Sequence, residues 1–208
     1  MGFQTTGLAS EYFAAPASMT TPLPDEMSYD EGAMIEPLAV AVHAVRKAGE
    51  VSGKDVAVIG AGPIGNLVAQ VAKGLGARNV MITGHGGKRA ETARECGIDF
   101  VVDTGEKDFG EALVECLGPD KADIIYDCAG NDKSVGDAIK YARKGSTIIL
   151  VAVFAKMANV DLAVLNDHEL DLNTTMMYRD EDYLTAIELV AAGKVKLAPL
   201  VTLSLIHI

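Results

Sequence analysis

The sequence lacks the features that mark secreted, membrane-inserted or nucleic-acid-binding proteins. Its only three cysteines, Cys96, Cys116 and Cys128, fit neither a disulfide framework nor a cysteine zinc site. It has no run of 18 apolar residues and no signal peptide, so neither a membrane span nor secretion is predicted. A net charge of −11 over 208 residues argues against nucleic acid and against an anionic membrane surface as partners. We therefore predict a cytoplasmic protein.

Motifs for a metal or a nucleophile are missing as well. The four histidines show no metal-ligand spacing such as H-E-x-x-H, and no G-x-S-x-G turn is present. We interpret His43 as a structural residue on an apolar helix and Cys128 as a buried thiol rather than a nucleophile. The acidic residues 180–182 are predicted to cap the N-terminus of a helix.

The best-defined feature is the stretch 56–76, where an apolar strand, a G-x-G-x-x-G turn and an apolar helix follow one another. In this turn Gly60 permits a sharp bend, Gly62 lets the backbone approach a pyrophosphate, and Gly65 lets the helix pack on the strand. Pro63 fits the first helical turn. The helix N-terminus offers N–H groups and partial positive charge to phosphates. The order of elements favours a dinucleotide site over a glycine turn without a ligand.

Strands and helices alternate after this turn. Strands are predicted at 79–83, 100–102, 122–127, 147–153 and 176–178, and helices at 88–96, 108–117, 134–143 and 180–192. This alternation predicts an α/β fold, a doubly wound parallel sheet of the Rossmann type. A capping-box pattern at Ser28 predicts a helix to about residue 48, with a kink or a second start at Pro37. Residues 8–15 read as a strand that has no partner in the sequence.

The second strand lacks the acid that usually binds the adenosine ribose hydroxyls, because Gly84 follows Thr83 directly. Without that carboxylate a 2′-phosphate is not repelled, and Lys88 or Arg89 can pair with it. This favours NADP slightly over NAD. Lys88 and Arg89 are equally compatible with a solvated helix start, so both cofactors remain open.

Several segments occur in a characteristic order. They are E-P-L-A-V-A-V-H-A from Glu36, V-I-G-A-G-P-I-G ending at Gly65, the strand regions 123–130 and 144–154, and the late segments 191–194 and 199–202. Together they resemble the medium-chain, zinc-dependent alcohol dehydrogenase superfamily, in particular its sorbitol (polyol), butanediol and threonine dehydrogenase branch. The resemblance covers about residues 8–202. It implies a parent enzyme in which zinc polarises the oxygen of a small alcohol or polyol while hydride passes to NAD or NADP.

The polyol branch holds its zinc with a Cys and a His-Glu pair from an upstream domain, and this sequence has neither. The resemblance therefore implies a fragment. Residues 1–28 would be a remnant of the β-rich catalytic domain, 29–196 the dinucleotide-binding domain and 197–208 a return segment. We interpret 203–208 as translated adapter DNA, so His207 carries no function. Such a fragment is expected to bind dinucleotide weakly without turnover, and its parent to form a homodimer or homotetramer.

The resemblance also implies site residues, position by position. Glu36 would contact the metal, its water or the substrate. The cofactor would be bound by Gly60, Gly62, Pro63, Ile64, Gly65, Gly84, Arg89, Val151, Val153 and Met177. Tyr178 and Arg179 would reach the substrate, although the family's sorbitol enzymes carry Arg where Tyr178 stands.

Other functions remain open. A zinc-independent reductase of the same superfamily fits the fold, and only Glu36 argues against it, because a buried carboxylate there is best explained by a nearby cation. A nucleotide-binding module without chemistry predicts the same cofactor site. A methyltransferase that binds S-adenosylmethionine fits less well.

Overall fold

The alternating elements form one six-stranded sheet in which every neighbouring pair is parallel. The computed structural model describes residue 7 and residues 10–201. The strands are β1 (Asp55–Ile59), β2 (Asn79–Gly84), β3 (Phe100–Asp103), β4 (Ile124–Asp127), β5 (Thr147–Leu150) and β6 (Asp171–Thr174). The helices are α1 (Tyr29–Lys47), α2 (Pro63–Gly74), α3 (Lys88–Glu95), α4 (Phe109–Leu117), α5 (Asp132–Tyr141), α6 (Leu162–Asp167) and α7 (Asp180–Ala191), with 3-10 helices at Ala17–Met19 and Ala198–Leu200.

The sheet separates two apolar cores. Val58 and Tyr126 pack into the core shared with α1, α2 and α7, and Ala57 and Ile125 pack into the core shared with α4 and α5. All five residues of β1 are buried, because helices cover both faces. This explains why the strands read as apolar runs rather than as alternating patterns.

The strand order is β3-β2-β1-β4-β5-β6, the doubly wound order that the sequence predicted. The order reverses direction at β1, which lies between β2 and β4. In such sheets the crevice at the carboxyl ends of the strands, at this reversal, is where ligands bind. The G-x-G-x-x-G turn follows β1 directly and therefore lies at that crevice.

Helix α1 begins with the predicted capping box. The Ser28 hydroxyl accepts from the Glu31 N–H at 3.2 Å, and the Glu31 carboxylate accepts from the Ser28 N–H at 2.9 Å. The helix continues through Pro37 and does not start again there. Ile35 and Leu38, on either side of the proline, are buried in the core, which holds both halves against the sheet.

Some predicted elements near the ends of the chain were wrong. Residues 10–15 form no strand, which agrees with the lack of a partner among the described residues; Leu8 and Ala9 lie outside them. The last strand is β6, not 176–178, where Met177 has a φ of +58° that no strand accepts. The return segment 197–208 begins with the 3-10 helix, and residues 202–208 lie outside the described residues.

The fifth strand is shorter than predicted, ending at Leu150 instead of residue 153. The main-chain carbonyl of Asp127 accepts from both Val151 N and Ala152 N, at 2.9 and 3.0 Å. Two successive N–H groups on one carbonyl cannot continue a regular ladder, so the chain turns away from the sheet there. None of the helices within 10–201 has the length and apolar character needed to cross a bilayer.

Candidate dinucleotide-binding site

The three glycines of the turn meet three different environments. Gly60 has a φ of +108°, and a Cβ there would lie 3.1–3.2 Å from the backbone of Cys128 and Ala129. A Cβ on Gly65 would overlap the carbonyl oxygen of Gly60. A Cβ on Gly62 would meet nothing within 4 Å. Gly60 and Gly65 are thus required by packing, whereas the face of Gly62 is open to a ligand.

The open face of Gly62 coincides with the positive end of a helix. Gly62 is the N-cap of α2, Pro63 is its first residue, and its first turn contains no acidic side chain. The first N–H groups of a helix have no partner within it, and the helix dipole adds partial positive charge. Ile64 packs partly against the core below and fixes this turn on the sheet. The arrangement fits a pyrophosphate.

A buried carboxylate shapes the neighbouring loop. Asp127, the last residue of β4, is fully buried. Its Oδ1 accepts from Ala129 N at 2.9 Å and Gly130 N at 3.1 Å, and its Oδ2 accepts from Ser134 Oγ at 3.0 Å. Burial raises the pKa of Asp127, and the hydrogen bonds from Gly130, Ala129 and Ser134 oppose that shift. The carboxylate therefore holds the loop that packs against Gly60.

The segment after β5 is fixed to the same loop. The Asp127 carbonyl binds Val151 N and Ala152 N, and a Cβ on Gly130 would lie 2.6 Å from the Cβ of Ala152. Val151 is half-buried, whereas Val153 is 78% exposed. The turn after β1, the loop after β4 and the segment after β5 thus form one continuous edge of the sheet.

The adenosine end of the predicted site has no carboxylate at Gly84. A Cβ on Gly84 would lie 2.7 Å from the Cβ of Ala61, so this position is also sterically confined. Lys88 and Arg89 begin α3 and are exposed. Within the described chain neither side chain forms an ion pair.

A carboxylate does approach this loop from the neighbouring strand. Asp103 ends β3 opposite Gly84, and its Oδ1 accepts from Gly105 N at 2.8 Å. A side chain on Gly86 would overlap the Asp103 carboxylate. The adenosine end therefore has cations on α3 and one anion on β3.

The predicted substrate residues lie between β6 and α7. Met177 is exposed with left-handed backbone, Tyr178 is half-buried, and Arg179 is the exposed N-cap of α7. The ring of Tyr178 packs edge-on against Tyr183, with centroids 4.9 Å apart and an interplanar angle of 87°. Burial raises the pKa of Tyr183, and Tyr178 and the charge of Glu36 raise it further. Glu36 and Tyr183 lie on helices α1 and α7, which pack against each other.

Glu36 itself was expected to be buried, and that expectation was wrong. It lies on an exposed part of α1, because the buried face of this helix is formed by its neighbours Ile35 and Leu38. The argument from a buried carboxylate against a zinc-independent enzyme therefore fails. Between residues 10 and 201 no group of three or more His, Cys, Asp or Glu side chains is placed to hold a metal ion. The described residues do not form a zinc site.

The other residues singled out by the sequence have structural surroundings. His43 lies 2.9 Å from Asp182, and Asp182 accepts from Arg179 N at 2.8 Å, as expected for a helix cap. Cys128 is half-buried rather than fully buried, and desolvation raises the pKa of its thiol, which argues against a thiolate nucleophile. Asp127 and Tyr183 are the contacts that sequence reasoning missed. Only the position of Asp127 at a strand end gave any signal.

Comparison with known proteins agrees with this geometry. The family profile described as zinc-binding dehydrogenase matches residues 63–192. Over 202 residues the chain is 32% identical to sorbitol dehydrogenase 1 of Saccharomyces cerevisiae, which covers 94% of this chain and 57% of that protein. Over 198 residues it is 33% identical to sorbitol dehydrogenase of Ovis aries, covering 94% of this chain and 56% of that protein. The chain thus spans little more than half the length of these relatives.

Solved structures show the same fold. The 2R,3R-butanediol dehydrogenase of Bacillus subtilis superposes with a TM-score of 0.79 at 29% identity, over 86% of this chain and 51% of that one. A zinc-binding dehydrogenase of Sinorhizobium meliloti bound to NADP superposes with a TM-score of 0.77 at 27% identity, over 85% of this chain and 52% of that one. A short chain alcohol dehydrogenase of Escherichia coli CFT073 complexed with NADH superposes with a TM-score of 0.81 at 25% identity, over 89% of this chain and 54% of that one. With the profile match over most of its length and the doubly wound sheet, this chain belongs to the zinc-binding dehydrogenase family.

Proposed function

We propose that this chain is the NAD(P)-binding part of an alcohol or polyol dehydrogenase, which transfers hydride between a secondary alcohol and the nicotinamide. The observation that carries the proposal is the open face of Gly62 at the uncompensated N-terminus of α2, next to the reversal of strand order. The substrate class rests on the names of the relatives, sorbitol dehydrogenase and 2R,3R-butanediol dehydrogenase.

Each part of the edge has a proposed task. Gly60, Pro63 and Gly65 shape the turn, and the N–H groups of Ile64 and its neighbours bind the pyrophosphate. Val151 and Val153 line one side of the nicotinamide, and Met177 lies at its other end. The bound nicotinamide ring supplies the hydride acceptor or donor. Tyr178 and Arg179 orient the alcohol, and Glu36 contacts the substrate or a metal.

We further propose a preference for NADP. Gly84 presents no carboxylate to a 2′-phosphate, and Lys88 and Arg89 are free to pair with it. Asp103 is the opposing charge, since its carboxylate lies beside Gly86. Competition between NADPH and NADH for the same site measures which charge dominates.

The role of zinc is proposed for the family rather than assigned to residues here. Glu36 offers one oxygen ligand, and a zinc site needs at least three protein ligands. No step of the reaction is therefore derived through the metal. The exposed position of Glu36 removes the argument against a second candidate function, a zinc-independent reductase of the same superfamily.

We also propose a cytoplasmic location and a homodimeric or homotetrameric parent. All three cysteines are free thiols, which supports a reducing compartment. We propose no nucleic-acid or membrane partner, because the net charge is −11.

Titration of the chain with NADPH and with NADH, followed by the change in nicotinamide fluorescence, tests the proposal. We expect saturable binding of both, tighter for NADPH, and competition by adenosine 2′,5′-bisphosphate. A folded sample that binds neither dinucleotide would refute it, as would binding of S-adenosylmethionine in their place.

A further inference from the structure

A buried acid with partners on two helices is Asp182, near the start of α7. Its side chain is 1% exposed. Its Oδ1 accepts from Arg46 Nη1 at 2.7 Å, and its Oδ2 lies 2.9 Å from Nδ1 of His43. Because an ionised carboxylate only accepts, Nδ1 of His43 carries the proton in this contact. A second arm of Arg46 donates to Thr185 Oγ1 at 2.7 Å.

The same carboxylate also fixes the main chain that enters α7. Oδ2 of Asp182 accepts from the N–H of Arg179 at 2.8 Å, which ends the segment 175–179 on a buried anchor. Two residues earlier Met177 holds a φ of +58°, a conformation that a non-glycine residue keeps only when its surroundings impose it. Asp182 therefore connects the backbone of this segment to α1.

Helix α1 carries Glu36 as well as His43 and Arg46, the two side chains that contact Asp182. Glu36 and His43 are seven residues apart, which places them on the same side of the helix, two turns from each other. His43 and Arg46 contact Asp182, and Tyr183 follows Asp182 directly on α7. Movement of α7 relative to α1 would thus displace Tyr183 and, through the ring contact, Tyr178.

We propose that Asp182 is a positioning residue for the nicotinamide end of the site. With His43 and Arg46 it fixes the segment 175–179 to α1, so that Met177 and Tyr178 keep one orientation towards cofactor and substrate. The inference rests on the proposed nucleotide binding. It assigns to these three side chains, two on α1 and one 136–139 residues later on α7, a role beyond holding two helices together.

The test separates the two halves of the dinucleotide. Asp182→Asn keeps the volume and one acceptor oxygen but removes the charge that pairs with Arg46. Binding of the reduced dinucleotide that the unmodified chain prefers is compared with binding of its adenosine half, adenosine 2′,5′-bisphosphate for NADPH or ADP for NADH. We expect the Kd for the dinucleotide to rise about tenfold, because segment 175–179 is displaced and its contact with the nicotinamide end is lost. The Kd for the adenosine half, which does not reach this segment, should stay within about twofold.

A milder variant and a control accompany it. Arg46→Gln, at a side chain 40% exposed, carries less risk to folding and should weaken dinucleotide binding in the same direction. Glu188→Gln removes one negative charge from the exposed side of α7 and should change neither ligand.

Each outcome is informative. Equal weakening of both ligands would overturn the inference, because it would show a general effect on the fold. Unchanged binding of both by folded variants would overturn it too. If the unmodified chain binds neither ligand, the proposed nucleotide site itself is wrong, and the positioning role falls with it.

Discussion

Asp127 illustrates how a single buried side chain can shape the candidate site through the backbone of its loop. It uses both oxygens on donors of its own loop, Ala129 N, Gly130 N and Ser134 Oγ. The N–H groups of residues 129 and 130 are therefore occupied and unavailable to a phosphate, which leaves that task to α2. The net effect of burial is nevertheless to raise the pKa of Asp127.

This predicts a specific pH dependence. A carboxyl whose folded-state pKa is raised favours the folded state while protonated, so its contribution is lost as pH rises from about 4 through the folded-state pKa. Asp127→Asn keeps the volume and an acceptor, and should remove this part of the pH dependence. Urea unfolding at several pH values measures it, with Asp120→Asn, at an exposed site, as the control.

Removing the acceptors at this position should have a different effect. Asp127→Ala leaves two N–H groups unpaired and is expected to cost about 2 kcal/mol or more of unfolding free energy at neutral pH. If Asp127→Ala is as stable as Asp127→Asn, the loop is not held by this carboxylate.

Gly84 gives a second prediction at this scale. Gly84→Asp restores an acid at the adenosine ribose, but its Cβ must find room against Ala61. We expect a loss of about 1–3 kcal/mol in stability and a shift of the NADPH-to-NADH affinity ratio towards NADH by at least about tenfold, since like charges then meet. Gly136→Asp on α5, where a Cβ meets nothing within 4 Å, is the matched control. An unchanged affinity ratio would place the 2′-phosphate elsewhere.

At the scale of elements, the N-terminus of α1 is the clearest case of a local pattern that the structure bears out. Ser28 and Glu31 exchange hydrogen bonds as the capping box requires. Ser28→Ala should therefore lower the unfolding free energy by about 1 kcal/mol. Ser18→Ala, in an exposed 3-10 helix where no side-chain cap is formed, should leave it unchanged. Equal denaturation midpoints for the two variants would contradict the capping role.

The buried elements were predictable and the exposed ones were not. Strands β1 to β5 lie in or next to the two cores, and each reads as a short apolar run. The sequence of β6, D-L-N-T, is mostly exposed at the sheet edge and carries no apolar pattern, whereas the apolar residues 176–178 predict a strand that does not form. Helix α6, six residues without a buried side chain, gave no signal either.

In the candidate site, too, some residues could be predicted from the sequence and others could not. The glycines of the turn could be found because their spacing is local and each spacing has a steric reason. The pairing of Asp182 with His43 could not, because the partners are 139 residues apart and only the packing of α7 on α1 brings them together. The exposure of Glu36 also depends on how α1 is packed, which the sequence pattern did not determine.

For the whole molecule, the strand order favours one location for the proposed ligand, the crevice at the carboxyl ends of β1 and β4. The order in which the strands are added reverses at β1, beside the Gly60 turn. The family match begins at residue 63, at the start of α2. We propose that a dinucleotide pyrophosphate lies against the open face of Gly62.

The most direct measurement is titration of Gly62→Ala and Gly65→Ala with NADPH, alongside their thermal unfolding. A methyl on Gly62 meets no protein atom within 4 Å, so the unfolding temperature of this variant should lie within a few degrees of that of the unmodified chain. Its Kd for the dinucleotide should nevertheless rise at least about tenfold. A methyl on Gly65 overlaps the Gly60 carbonyl and should lower the unfolding temperature. Full NADPH affinity in a folded Gly62→Ala variant would contradict the account.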